Sequence, residues 1–243
     1  KLDGRIERPK LDILLARPND ALGLINVRLL LDPVADGFQM AANGGSRIGP
    51  FTARGQIALP KGGQAQIRFD DIDASGLHAK GVLVPVGGGI DGTLALNGRG
   101  ISGTLDFAPS GTAQRIEAHV SARDAELAGP PRIAARRARL DGVFLINNGS
   151  MTSDATLTGD GLAYGTMTLA RLAANVRMKD GTGEIRAAFA GSRGRIFDLQ
   201  TVAQISPNAM QIVGSGSIDR KPIRLTETAR LVREGDGWRL APT

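Results

Sequence analysis

The feature that most constrains this chain is a short unit that recurs along its length. The unit is a glycine, one variable residue, then apolar residues at alternate positions. It appears in Gly55-Gln56-Ile57-Ala58-Leu59, Gly92-Thr93-Leu94-Ala95-Leu96, Gly103-Thr104-Leu105-Asp106-Phe107, Gly165-Thr166-Met167-Thr168-Leu169 and Gly183-Glu184-Ile185. Alternation at period 2 is the signature of a strand with one buried and one wet face. It also governs Gln64–Asp70, Arg115–Ala122, Met151–Thr158 and Phe197–Ile205. The dipeptides Asp91-Gly92, Asn97-Gly98, Asn148-Gly149, Asp180-Gly181 and Asp236-Gly237 read as hairpin turns between units. Strand, turn, strand at a spacing of about 8–12 residues predicts an antiparallel meander of about 18 to 20 strands, not alternating β and α units.

The expected fold is therefore all-β: a long, curled, mostly antiparallel repetitive sheet with little helix, groove-like and growing in one direction like a solenoid. Two short stretches carry some helical pattern. One is Asp20–Leu31, which also reads as a strand; the other is Ile133–Leu140, which follows Pro130-Pro131. Residues 1–243 read as one continuous segment, with soft points at Gly87-Gly88-Gly89 and near 128–132. Lys1 is not an initiator methionine and Lys1–Leu15 has no signal-peptide core, so the chain reads as part of a longer protein.

Composition narrows the chemistry. With 33 Gly, 4% aromatic residues and no Cys, the chain cannot build thiolate metal sites, thiol nucleophiles or a disulfide framework. Its histidines, His78 and His119, belong to no HExxH-type pattern and read as surface residues. No metal or cofactor is expected. The net charge is +6, mostly from arginine, which raises a nucleic-acid partner. The basic residues are scattered, however, and not interleaved with stacking aromatics, so a solvated basic face is preferred. Gly98-Arg99-Gly100-Ile101-Ser102-Gly103 matches GxGxxG but leads into a strand pattern, so it reads as hairpin glycines. Asp71-Ile72-Asp73-Ala74-Ser75-Gly76 opens like a calcium loop but has Val82 where a bidentate Glu belongs, and reads as a turn. Trp238 reads as a packing anchor. No G-x-S-x-G nucleophile elbow occurs, and the chain is read as non-enzymatic.

What remains is a nearly continuous row of aliphatic side chains. The inward candidates are Ile67, Phe69, Leu94, Leu96, Leu105, Phe107, Ile116, Val120, Phe197, Leu199 and Ile205. Under a covering layer they are plain core. On a sheet that only curls they form an apolar trough, which suits acyl chains because burying each methylene gains about 0.8 kcal/mol without a hydrogen-bond partner.

The Gly-x-apolar-x-apolar texture resembles the TamB and AsmA-like group of bacterial envelope proteins. It is clearest in Leu140-Asp141-Gly142-Val143-Phe144-Leu145, Ala155-Thr156-Leu157-Thr158-Gly159, Leu162-Ala163-Tyr164-Gly165 and Gly214-Ser215-Gly216-Ser217-Ile218, and it runs on through Ala229–Leu240. The resemblance implies a periplasmic β-groove in a longer protein anchored in the inner membrane of a Gram-negative bacterium. That groove would carry phospholipid between the two membranes and support outer-membrane biogenesis. It also implies a partner, a TamA-like outer-membrane barrel, reached through parts of the protein outside this segment. Two other readings stand beside it. One is a scaffold or chaperone for β-barrel insertion with TamA, and the other is a β-helical polysaccharide-active enzyme.

Overall fold

The computed structural model describes residues 2–5, 8–17, 24–46, 49–127, 132–147, 150–225, 227–234 and 237–241. Gly129-Pro130-Pro131, Asn148-Gly149, Asp236 and the Trp238 side chain lie outside this description. The chain divides into two units, Lys1–Ile116 with Leu127–Gly129, and Glu117–Glu126 with Pro130–Thr243. Among the described residues there is no helix, and every registered pair of strands is antiparallel. The parallel coil that a β-helical enzyme needs is not this architecture.

The first unit is a meander of β1 (Leu2–Arg5), β2 (Arg8–Leu15), β3 (Ile25–Val34), β4 (Gly37–Ser46), β5 (Gly49–Ala58), β6 (Gln66–Ala74), β7 (Leu77–Val86), β8 (Gly89–Gly98) and β9 (Ile101–Ser110). β10 (Ala113–Leu127) carries the chain into the second unit. There β11 (Ile133–Asn147), β12 (Ser150–Tyr164), β13 (Met167–Lys179), β14 (Thr182–Arg193), β15 (Arg195–Ser206) and β16 (Ala209–Ile218) follow, each paired with the next. β17 (Lys221–Arg224) and β18 (Ala229–Glu234) share one edge of β16: β17 takes Ser215–Ile218, β18 takes Ala209–Ile212. β19 (Gly237–Ala241) pairs with β18.

One open alternative closes and one sequence expectation changes. Ile133–Leu140 is the first half of β11, not a helix. Its residues pair in register with β12, as in Leu140 with Leu157, and that ladder outweighs weak local preference. Asp91-Gly92 and Asn97-Gly98 are not turns but lie inside β8, whose flanking turns are Gly87-Gly88 and Arg99-Gly100. The GxGxxG glycines do form a hairpin, with Arg99 at φ 50 and Gly100 at φ 75, both in the left-handed region that a tight two-residue turn uses. The calcium-like stretch likewise ends in a hairpin turn at Ser75-Gly76, where the Asp73 carboxylate accepts the Gly76 N–H at 2.8 Å.

Both faces of each unit can be followed strand by strand. In the first unit Leu31, Met40, Gly55, Phe69, Gly81, Leu94 and Leu105 stand opposite one another in succession from β3 to β9. A second row runs Ile57, Ile67, Leu83, Gly92, Phe107. In the second unit Leu172, Phe189, Leu199 and Gly216 form one row, and Val176, Ile185, Ala203 and Ile212 another. The opposite faces are charged. Asp154, Arg177, Glu184 and Gln204 stand opposite one another across four strands, with Arg177 Nε 3.3 Å from Asp154 and the Gln204 amide donating to Glu184 at 2.7 Å.

One line of irregularity crosses the second unit. Gly161 sits at φ 60, and the β13–β14 register shifts between Leu169 and Arg171. Here alternation fails, so adjacent Arg136 and Arg137 both reach the Asp160 carboxylate, at 2.7 and 2.8 Å. Such bulges raise local twist and bend a sheet.

Candidate functional site

The candidate site is the apolar face of each unit. Register places Ile67, Phe69, Leu94, Leu96, Leu105 and Phe107 together on the face of the first unit. Phe197, Leu199 and Ile205 share the face of the second. Ile116 and Val120 alternate along β10 with Glu117 and His119, and Ala118 between them is only 4% exposed.

No described side chain is fully buried, and the only buried hydrophobics are Val27, Leu31, Met40, Leu83, Leu94 and a few alanines. The protein exposes 15489 Å² to solvent. A compact 25.4 kDa monomer exposes about 10,300 Å², and two separate compact bodies of half that mass about 12,500 Å² together. The two faces are unequal. Ala174 on the apolar face is 8% exposed, while its chain neighbour Ala173 and the opposing Ala188 on the polar face are exposed. At this strand the apolar face is the more buried of the two, while an open concavity lies on the polar face, lined by Ala173, Arg186, Ala188, Gln200, Val202 and Val213.

The sequence reading took the recurring glycines as turns and strand starts. Several instead occupy the middle of strands on the apolar face, next to the largest side chains. Phe69 stands between Gly55 and Gly81, Phe107 beside Gly92, Phe197 beside Gly191, Leu199 beside Gly216 and Ile205 beside Gly183. A Cβ on Gly55 would lie 2.0 Å from the Arg68 carbonyl oxygen, and one on Gly183 2.0 Å from that of Arg177. Only hydrogen fits at these bends, and the neighbouring ring or branched side chain covers the bare backbone. The pattern was visible in the sequence as glycine two residues before a large apolar residue, which puts both on the same face.

The titratable groups lie on the polar face. His119 contacts the Asp141 carboxylate through Nδ1 at 2.8 Å and Glu117 through Nε2 at 3.1 Å, and Arg139 donates to Asp141 at 2.5 Å. The hydrogen bond to Asp141 raises the His119 pKa. Those from Arg139 and then His119 hold Asp141 down to about 2. All three are solvated, and both His119 nitrogens are engaged by carboxylates, which makes the group a cross-strand ladder. His78 makes a similar contact with Asp71 at 2.9 Å. Among the described residues no group of three or more His, Asp or Glu is placed to hold a metal ion, and no helix is long and apolar enough to cross a membrane.

The arrangement can shelter apolar matter on one face and stay hydrated on the other. Compared with protein-family models, with curated proteins and with solved structures, the chain has no match in any of the three.

Proposed function

We propose that the sheltered apolar face takes up acyl chains, and that the protein is a segment of a bridge-like periplasmic conduit for phospholipid between the inner and outer membranes. The observation that supports this reading is the long aliphatic face of each unit, on which no described side chain is fully buried. Each acyl methylene placed on it gains about 0.8 kcal/mol and asks for no directional partner. A wall of Leu, Ile, Val, Ala and Gly meets that need. The charged ladders on the other face keep it in water.

The test is a photo-crosslinking residue placed at Leu94, Leu105 or Leu199, with Thr104 and Gln200 on the polar face as controls. Phospholipid adducts at the first three and not at the controls support the conduit. Adducts to polypeptide alone favour a scaffold for unfolded strands. Folded protein without lipid adducts at any of the three ends the proposal.

A further inference from the structure

The second unit's hairpins alternate between two margins of its sheet, and the margins differ in charge. One margin gathers the start of β11, the β12–β13 turn, the β14–β15 turn and the β16–β17 turn. Backbone hydrogen bonds tie neighbours along it: Gly165 N–H donates to the Arg132 carbonyl at 3.3 Å, and Asp219 N–H to that of Ile196 at 2.8 Å. From β11 to β17 it spans about 29 Å, at ~4.8 Å per strand.

This margin is basic. Arg132 pairs with Glu126, Arg136 and Arg137 share Asp160, Arg171 pairs with Asp198, and Arg195 lies 3.5 Å from Asp219. Among the described residues Arg193, Arg220 and Lys221 have no carboxylate partner. The opposite margin carries less net positive charge, with Arg177, Lys179, Arg186, Arg230, Arg233 and Arg239 against Asp154, Asp180, Glu184 and Glu234. The basic margin also presents its large apolar side chains to water: Ile133 is 44%, Tyr164 53% and Ile196 66% exposed.

We infer that this margin is a docking lip for the headgroup layer of an anionic membrane. Unpaired cations meet lipid phosphates there, and Tyr164, Ile133 and Ile196 enter the headgroup–acyl boundary, the depth at which amphipathic rings settle. The combination discriminates against nucleic acid. A single tyrosine offers no stacking platform, and four carboxylates interleave the basic groups. The inference stands apart from the acyl-chain reading, because a lip can dock whether or not the face behind it carries lipid.

The test is co-sedimentation of the whole chain with phosphatidylcholine vesicles, with and without about a quarter phosphatidylglycerol. Binding is expected only to the anionic vesicles and weakens as salt screens the charges. The triple variant Arg193→Gln, Arg220→Asn, Lys221→Gln is expected to bind about a hundredfold more weakly, at roughly fivefold per basic side chain. Asn at position 220 keeps a residue that tolerates its φ of 65. Ile196→Ser, which removes no charge, also weakens binding, while Lys179→Gln with Arg233→Gln on the opposite margin leaves it unchanged. Circular dichroism confirms that each variant is folded. Equal binding to neutral and anionic vesicles, equal loss from the opposite-margin variant, or tighter binding to single-stranded DNA than to anionic vesicles overturns the assignment. Lipid adducts at Leu105 persist in the triple variant if the conduit reading holds, so the two proposals fail separately.

Discussion

Leu94→Ala measures how the apolar face is covered. Leu94 is 7% exposed and stands between Gly81 and Leu105 in register. Truncation removes three carbons beyond Cβ. At about 0.8 kcal/mol for each and nearly full burial, the transfer loss is about 2.2 kcal/mol. In a two-layer core a cavity remains and adds to this, so that buried Leu→Ala changes cost about 2.7–5.0 kcal/mol. On a single-layer face no opposing layer would hold the gap open beside Gly81, and neighbours or water would fill it. Urea unfolding followed by far-UV circular dichroism should therefore show a loss near 2 kcal/mol with an unchanged m-value. A loss of about 4 kcal/mol or more would mean the face is enclosed, and the single-layer argument would be wrong.

Other consequences can be checked in the same way. Gly55→Ala forces a Cβ against the Arg68 carbonyl and should cost about 1–3 kcal/mol, whereas Gly87→Ala, with nothing within 4 Å, should stay within about 0.5 kcal/mol. The Gln114 amide bonds the Ile90 backbone at 2.7 and 2.9 Å, so Gln114→Ala should lose about 1–3 kcal/mol and speed amide exchange at Ile90. The His119 pKa lies above its ordinary 6.5, so its pairing stabilises fully below that pH and fades as pH rises through the raised value. His119→Gln should accordingly destabilise at mildly acidic pH and be neutral at alkaline pH. Asp141, depressed to about 2, contributes above its ordinary 3.8 and loses that contribution as pH falls toward 2. In Asp141→Asn the His119 titration, followed by NMR, should move back down toward 6.5.

The strands and their faces were legible because period-2 alternation is a local property. Met151–Thr158 and Phe197–Ile205 needed no knowledge of their partners. The site candidates followed from the same alternation, and register then set Leu94 opposite Leu105. The glycines were harder to read. Asp91-Gly92 has hairpin chemistry, but Gly92 is placed by long-range register between Leu83 and Phe107. Only the three-strand row shows why it must lack a side chain. Ile133–Leu140 was obscured by three arginines and three alanines with no clear period, and its strand state comes from fourteen residues of β11 pairing with β12. The basic lip was invisible for the same reason: Arg132, Arg193 and Arg220 are far apart in sequence, and the meander brings them to one margin.

The central claim is that the apolar face admits an acyl chain. The chain has no cysteine, so Leu105→Cys and Thr104→Cys each give one site for an environment-sensitive fluorophore. A fatty acid carrying a nitroxide near its methyl end is then titrated into each labelled protein. The account predicts saturable quenching at position 105 and none beyond collisional background at 104. Equal quenching at both, or none at 105 in folded protein, would contradict it.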